Sequence, residues 1–84
     1  MNKIEIRNKI DSIDKQISLL LKERFLLAEQ IGEYKKQNDL PITCPEREAE
    51  VINHVVSIFD ENSHKNAVKS IYKSIICECT KLQK

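Results

Sequence analysis

From Ile6 to Tyr34 the chain places Ile6, Ile10, Ile13, Ile17, Leu20, Arg24, Leu27, Ile31 and Tyr34 at alternating steps of four and three. That spacing is a heptad seam, the stripe along which one α-helix packs on another. No proline interrupts residues 3–37, so the seam predicts one helix roughly 50 Å long at 1.5 Å per residue. A compact monomer of 84 residues does not have that diameter. The long helix must therefore be covered by something besides its own chain, and a second copy is the simplest cover.

The same conclusion follows from size. The chain holds one domain at most, and a lone domain this small buries only about 60 to 65% of its unfolded surface. One Gly, two Pro and no Trp, with 40% hydrophobic and 32% charged residues, suit an all-α protein. Fourteen basic residues against thirteen acidic ones leave a formal charge of +1, too little to attract a polyanion. Nucleic acid is thus not an expected partner. The stretch from Met1 to Glu5 lacks the apolar core of a signal peptide, and apolar runs are as short as Leu19-Leu20-Leu21. No membrane association is expected, and the cytoplasm is the expected location. Cys44, Cys77 and Cys79 form an odd set, which favours reduced thiols over a disulfide framework. On one helix Cys77 and Cys79 would point about 200° apart, unable to bridge or to share a metal.

Asn38-Asp39-Leu40-Pro41 ends the first helix, and a short loop leads to Thr43-Cys44-Pro45-Glu46. There Thr43 is the expected cap, Pro45 suits the first turn, and Glu46 and Glu48 suit the helix dipole. Val51, Ile52, Val55, Ile58 and Phe59 form the stripe of a second helix, about 45–60, which fails at Asp60-Glu61-Asn62. With Ser63 as a cap, a third helix of about 64–82 carries Val68, Ile71, Tyr72, Ile75, Cys79 and Leu82. A single domain of three helices is the reading for residues 1–84.

Some residues break this pattern. Arg24 occupies the seam between Leu20 and Leu27, where a guanidinium needs an anionic partner: an internal acid such as Glu23 or Glu29, an acid of a second chain, or a ligand. Lys35 follows eleven residues later on the same face, roughly 16 Å along the axis. Arg47 and Glu48 precede Val51 and Ile52 by one turn, on the rim of the second stripe, although a surface arginine and a dipole-serving acid are the plainer readings. Cys79 and Gln83 are spaced i, i+4 on the third helix, and Cys79 could simply be core. Gly32 costs about 1 kcal/mol relative to Ala inside a helix, which close approach of a ligand or backbone would explain, as would a tolerated surface glycine.

Taken together these residues resemble a known family. Ile6-Arg7-Asn8-Lys9-Ile10-Asp11-Ser12-Ile13-Asp14, Leu21-Lys22-Glu23-Arg24 and Ile31-Gly32-Glu33-Tyr34-Lys35 are similar to the first helix of the all-helical chorismate mutases. Pro41-Ile42 and Pro45-Glu46-Arg47-Glu48 continue the likeness into the second helix, and Ile75-Ile76 with Gln83 into the third. The likeness spans essentially the whole chain without a gap.

The resemblance implies an isomerase of the shikimate pathway that rearranges chorismate to prephenate for Phe and Tyr synthesis, as an intertwined homodimer without metal or cofactor. It implies that Arg24 and Arg47 hold substrate carboxylates, that Arg7 arrives from the partner chain, and that Lys35 and Gln83 donate to the ether oxygen of the breaking bond. Glu48 would accept from the ring hydroxyl. Two positions depart from the family pattern. Cys44 stands where an aspartate is common, at a place where the family uses the main-chain N–H, which any residue but Pro supplies. Cys79 stands where a small hydroxyl residue is common, and a thiol is a poor donor to a carboxylate. The related isochorismate pyruvate lyases share the arginines and lysine but carry an apolar residue where this chain has Glu48. A non-catalytic regulatory domain that binds prephenate or chorismate as a signal, and a plain helical adaptor whose polar seam residues pair internally and which binds no dianion, are the remaining alternatives.

Overall fold

The computed structural model describes residues 1–84 as three helices: α1 (Lys3–Gln37), α2 (Pro45–Ser57) and α3 (Asn62–Gln83). There is no strand, so the all-α class expected from composition is what the chain adopts. Helix α1 starts at Asn2, whose side chain accepts from the Glu5 N–H at 2.9 Å while Asn2 Nδ2 lies 3.4 Å from Glu5 Oε1. The first bond satisfies one of the backbone donors that a helix start leaves open, and the second only ties the two side chains together. The other end stops at Asn38, whose amide side chain donates to the Tyr34 carbonyl at 2.8 Å. Asp39 then takes the left-handed conformation with φ 53°, which turns the chain away from the helix axis.

The ends of α2 and the start of α3 differ from the sequence-based expectation. Cys44, not Thr43, is the N-cap of α2, and its side chain makes no capping bond. Pro45 explains this: as the first helical residue it forces the residue before it into extended backbone, and Cys44 has φ −135° and ψ 91°. At its other end α2 stops at Ser57 rather than near residue 60. Ile58 and Phe59 donate three residues back, to Val55 and Val56, so the last turn tightens and closes. Ile58 is consequently left exposed, whereas Phe59 is half-buried. Helix α3 begins at Asn62 with Glu61 as its cap, and Ser63, the expected cap, lies inside the first turn.

Helix α3 packs on both α1 and α2, while α1 and α2 do not pack on each other. The residues of α1 that become buried, Ala28 and Gly32, both lie in its second half. Residues 1–20 are exposed throughout, and the four buried residues are Ala28, Gly32, Val55 and Cys79. The molecule measures 54 × 26 × 15 Å with a radius of gyration of 15.8 Å; about 12 Å is typical of a compact chain this long. A protein with four buried residues has almost no core of its own. No helix is long and apolar enough to cross a membrane.

Candidate active site

A cleft of about 490 Å³ opens where α2, α3 and the second half of α1 converge. Its floor is apolar, from Leu27, Ala28, Ile31, Val51 and Ile76, and its polar groups are Arg24 and Lys35 from α1, Cys44, Arg47 and Glu48 from the start of α2, and Cys79, Thr80 and Gln83 from α3. Seven of the eight residues singled out from sequence therefore share one cavity. The eighth, Arg7, is exposed on the bare half of α1 and lies outside it.

Arg24 is held from two sides. Its Nη1 donates to Cys79 Sγ at 2.9 Å, and its guanidinium carbon lies 5.9 Å from the centre of the Tyr72 ring. The thiol at position 79, 3% exposed, thus serves as an acceptor for an arginine. No acidic side chain pairs with Arg24; its donors beyond the one spent on sulfur remain for a ligand. An arginine with that supply, fixed at the edge of an apolar cleft, suits a carboxylate.

Lys35 and Gln83 meet at the opposite end. Lys35 Nζ donates to the Ile42 carbonyl at 2.7 Å and to Gln83 Oε1 at 2.8 Å. An ammonium has three donors and no acceptor. One N–H of Lys35 is therefore left over, and because the glutamine must turn its oxygen to the lysine, its NH₂ group is left over as well. Two donor groups held beside each other are an arrangement for stabilising negative charge on one oxygen.

Arg47 departs from the inward-looking expectation. Its guanidinium pairs with Glu50 at 3.2 Å, and its side chain is 70% exposed. An exposed i, i+3 pair contributes only a few tenths of a kcal/mol, so a ligand's carboxylate could draw Arg47 off it at little cost. Glu48 is half-buried and faces the cleft. Cys44 borders the cleft from the N-cap, its Sγ 3.7 Å from Glu46 Oε2.

Two participants were not singled out from sequence. Thr80 borders the cleft beside Cys79, its hydroxyl donating to the Ile76 carbonyl at 2.9 Å. Its position next to Cys79 and one turn after Ile76 was the available signal. The Ile42 carbonyl, which anchors Lys35, belongs to an irregular loop, and no side-chain pattern announces a carbonyl.

Comparison with known proteins bears on this geometry. The family model described as chorismate mutase type II matches residues 6–84. The chorismate mutase of Methanocaldococcus jannaschii is 38% identical over 81 residues, covering 95% of this chain and 82% of that protein. The bifunctional chorismate mutase/prephenate dehydratase of Aquifex aeolicus is 39% identical over 84 residues, 95% of this chain but 23% of the relative. The T-protein of Haemophilus influenzae is 30% identical over 95 residues, 93% of this chain and 25% of its own length. The chain thus spans about a quarter of the two longer relatives and most of the shorter one.

Proposed function

Since the chain belongs to the chorismate mutase type II family, we propose that its cleft rearranges chorismate to prephenate, in the aromatic amino acid pathway and in the cytoplasm. The observation that carries this reading is the Lys35–Gln83 pair at one end of an apolar cleft with Arg24 at the other.

The reaction is pericyclic: a carbon–oxygen bond breaks as a carbon–carbon bond forms, with no proton moved and no covalent intermediate. Two tasks remain for the protein. The flexible enolpyruvyl arm has to be folded over the ring, and charge growing on the ether oxygen has to be met. Arg24, already fixed by Cys79 and Tyr72, holds a carboxylate of the bound substrate. Arg47 leaves Glu50 to hold carboxylate oxygens as well. The unspent N–H of Lys35 and the NH₂ of Gln83 then point at the ether oxygen, and Glu48 accepts from the ring hydroxyl. The Cys44 main-chain N–H serves the substrate at the start of α2, and the Cys79 thiol acts mainly through Arg24. None of these roles calls for a metal or a cofactor.

The cleft is open, and a second chain completes it. Arg7 and Arg24 are seventeen residues apart on one helix, roughly 25 Å along the axis, too far for both to reach one small molecule. Two copies of α1 paired antiparallel about a two-fold axis near residues 18–20 bring Arg7 of one chain opposite residues 29–33 of the other, between Arg24 and Lys35. The exposed face of Ile6, Ile10, Ile13 and Ile17 supports this dimer.

The test is an ultraviolet assay of chorismate loss, with prephenate identified as the product, on protein treated with a chelator. Prephenate formed at an undiminished rate is the expected result. Pyruvate formed from isochorismate, with no prephenate from chorismate, would instead assign the chain to the lyases.

A further inference from the structure

Gly32 is buried inside α1, one turn before Lys35. Its φ is negative, so the position needs no glycine for backbone conformation. What it lacks is room. A Cβ built there would lie 2.6 Å from the Gln83 Cα, 2.7 Å from the Gln83 carbonyl oxygen and 3.0 Å from its carbonyl carbon. All three are backbone atoms, so no rotation of a side chain relieves the contact. Carbon atoms in ordinary contact are about 3.5 to 4.0 Å apart, and any side chain at position 32 would push the end of α3 outward by about 1 Å.

We infer that Gly32 is a positioning residue for catalysis: its bare Cα lets the last turn of α3 sit against α1, and that approach puts the Gln83 amide within reach of Lys35 and of the reacting oxygen. The inference rests on the proposed mutase function and adds a residue that touches no substrate. Two facts make the effect local. Gln83 is the last residue of α3, so that turn moves without dragging the rest of the helix. Arg24 lies two turns before Gly32, and its bond to Cys79 is a full turn before Gln83, so the carboxylate-holding end keeps its geometry. Helix propensity points the other way, since alanine is the better helix former. A Gly32→Ala chain should therefore fold at least comparably while its two ether-directed donors are out of register.

The experiment compares wild type, Gly32→Ala, Gln83→Ala and the double variant for kcat, KM and melting temperature. Backbone amide exchange across residues 80–83 is followed in parallel. Gly32→Ala is expected to lower kcat about 100-fold, the effect of a misplacement of about 1 Å, with KM within a few fold, an unchanged melting temperature and faster exchange at the end of α3. In the Gln83→Ala background the glycine change should cost nothing further, because the group it positions is gone. An active wild type whose Gly32→Ala variant keeps its kcat, or loses activity additively with Gln83→Ala, would overturn the role of Gly32 and leave the function standing. A Gly32→Ala chain with lost cooperative melting would also overturn it, since the contact would then be structural. Absence of prephenate from wild type would defeat the function and this role with it.

Discussion

The two halves of α1 carry one repeat and meet two fates. Residues 21–37 are served by their own chain: α3 lies along them, Ala28 and Gly32 are buried, and Arg24 and Lys35 are fixed by groups from α3 and the loop. Residues 3–20 carry the same heptad pattern and bury nothing: Ile6, Ile10, Ile13 and Ile17 keep 44%, 49%, 52% and 49% of their surface exposed, and the seam continues open through Leu27, Ile31 and Tyr34. A seam is a demand for a partner helix, and the chain leaves this one largely open along both halves; what α3 covers is the neighbouring face that carries Ala28 and Gly32. The half that α3 packs on builds a cleft; the bare half carries Arg7, the one candidate site residue outside that cleft.

Substitutions that strike the cleft should separate from those that strike the bare half. The largest effect is expected in the cleft: Lys35→Ala should lower kcat by two to three orders of magnitude, the loss of one preorganised donor of about 3 to 4 kcal/mol, with an unchanged melting curve. A change confined to KM would remove Lys35 from the charge-stabilising role. On the bare half, Ile13→Asp should abolish assembly: a charge replaces a residue whose burial by a partner contributes about 1 kcal/mol or more per chain, and the carboxylate would have to be desolvated besides. Sedimentation reads this directly, and a dimer of wild-type affinity would show that the exposed isoleucines face solvent.

A smaller, pH-dependent effect distinguishes the two donors. Gln83→Glu replaces an amide that donates at any pH with a carboxyl that donates only when protonated, so its activity should be highest at acid pH and fall as the carboxyl ionises. A pH profile matching wild type would take Gln83 out of the site. The smallest effects are expected from Cys44→Ala and Cys77→Ser. Cys44 offers its main-chain N–H, which alanine keeps, and Cys77 is exposed; turnover should stay within a few fold, as measured by the same ultraviolet assay.

How much of this was legible in the sequence divides along physical lines. The heptad seam made the length of α1 legible because twenty-nine residues of periodicity, from Ile6 to Tyr34, average out local accidents. The end of α2 was less legible: Asp60-Glu61-Asn62 marks a zone where helix fails, and the hydrogen bonds of Ile58 and Phe59 closed it sooner. The cap of α2 was misread because Thr43 is the better capping side chain, whereas Pro45 decides which residue must be extended. Within the site, spacing put Arg24, Lys35, Glu48, Cys79 and Gln83 on inward faces, which periodicity can do. It could not choose the rotamer that pairs Arg47 with Glu50 or foresee that the Cys79 sulfur would accept from Arg24. Gly32 was legible as a place of close approach or as a tolerated surface glycine, but which of the two, and which backbone comes close, was not, because Gln83 is fifty-one residues away.

The claim that the bare half of one chain completes the cleft of another has a direct measurement. Arg7→Ala and Arg24→Ala should each be nearly inactive alone. Unfolded together in equal amounts and refolded, they pair at random, so half the dimers are hybrids, and each hybrid has one cleft with both arginines and one with neither. The account predicts recovery to about a quarter of wild-type activity. No recovery, in a mixture whose hybrid dimers have been confirmed by mass spectrometry, would contradict it.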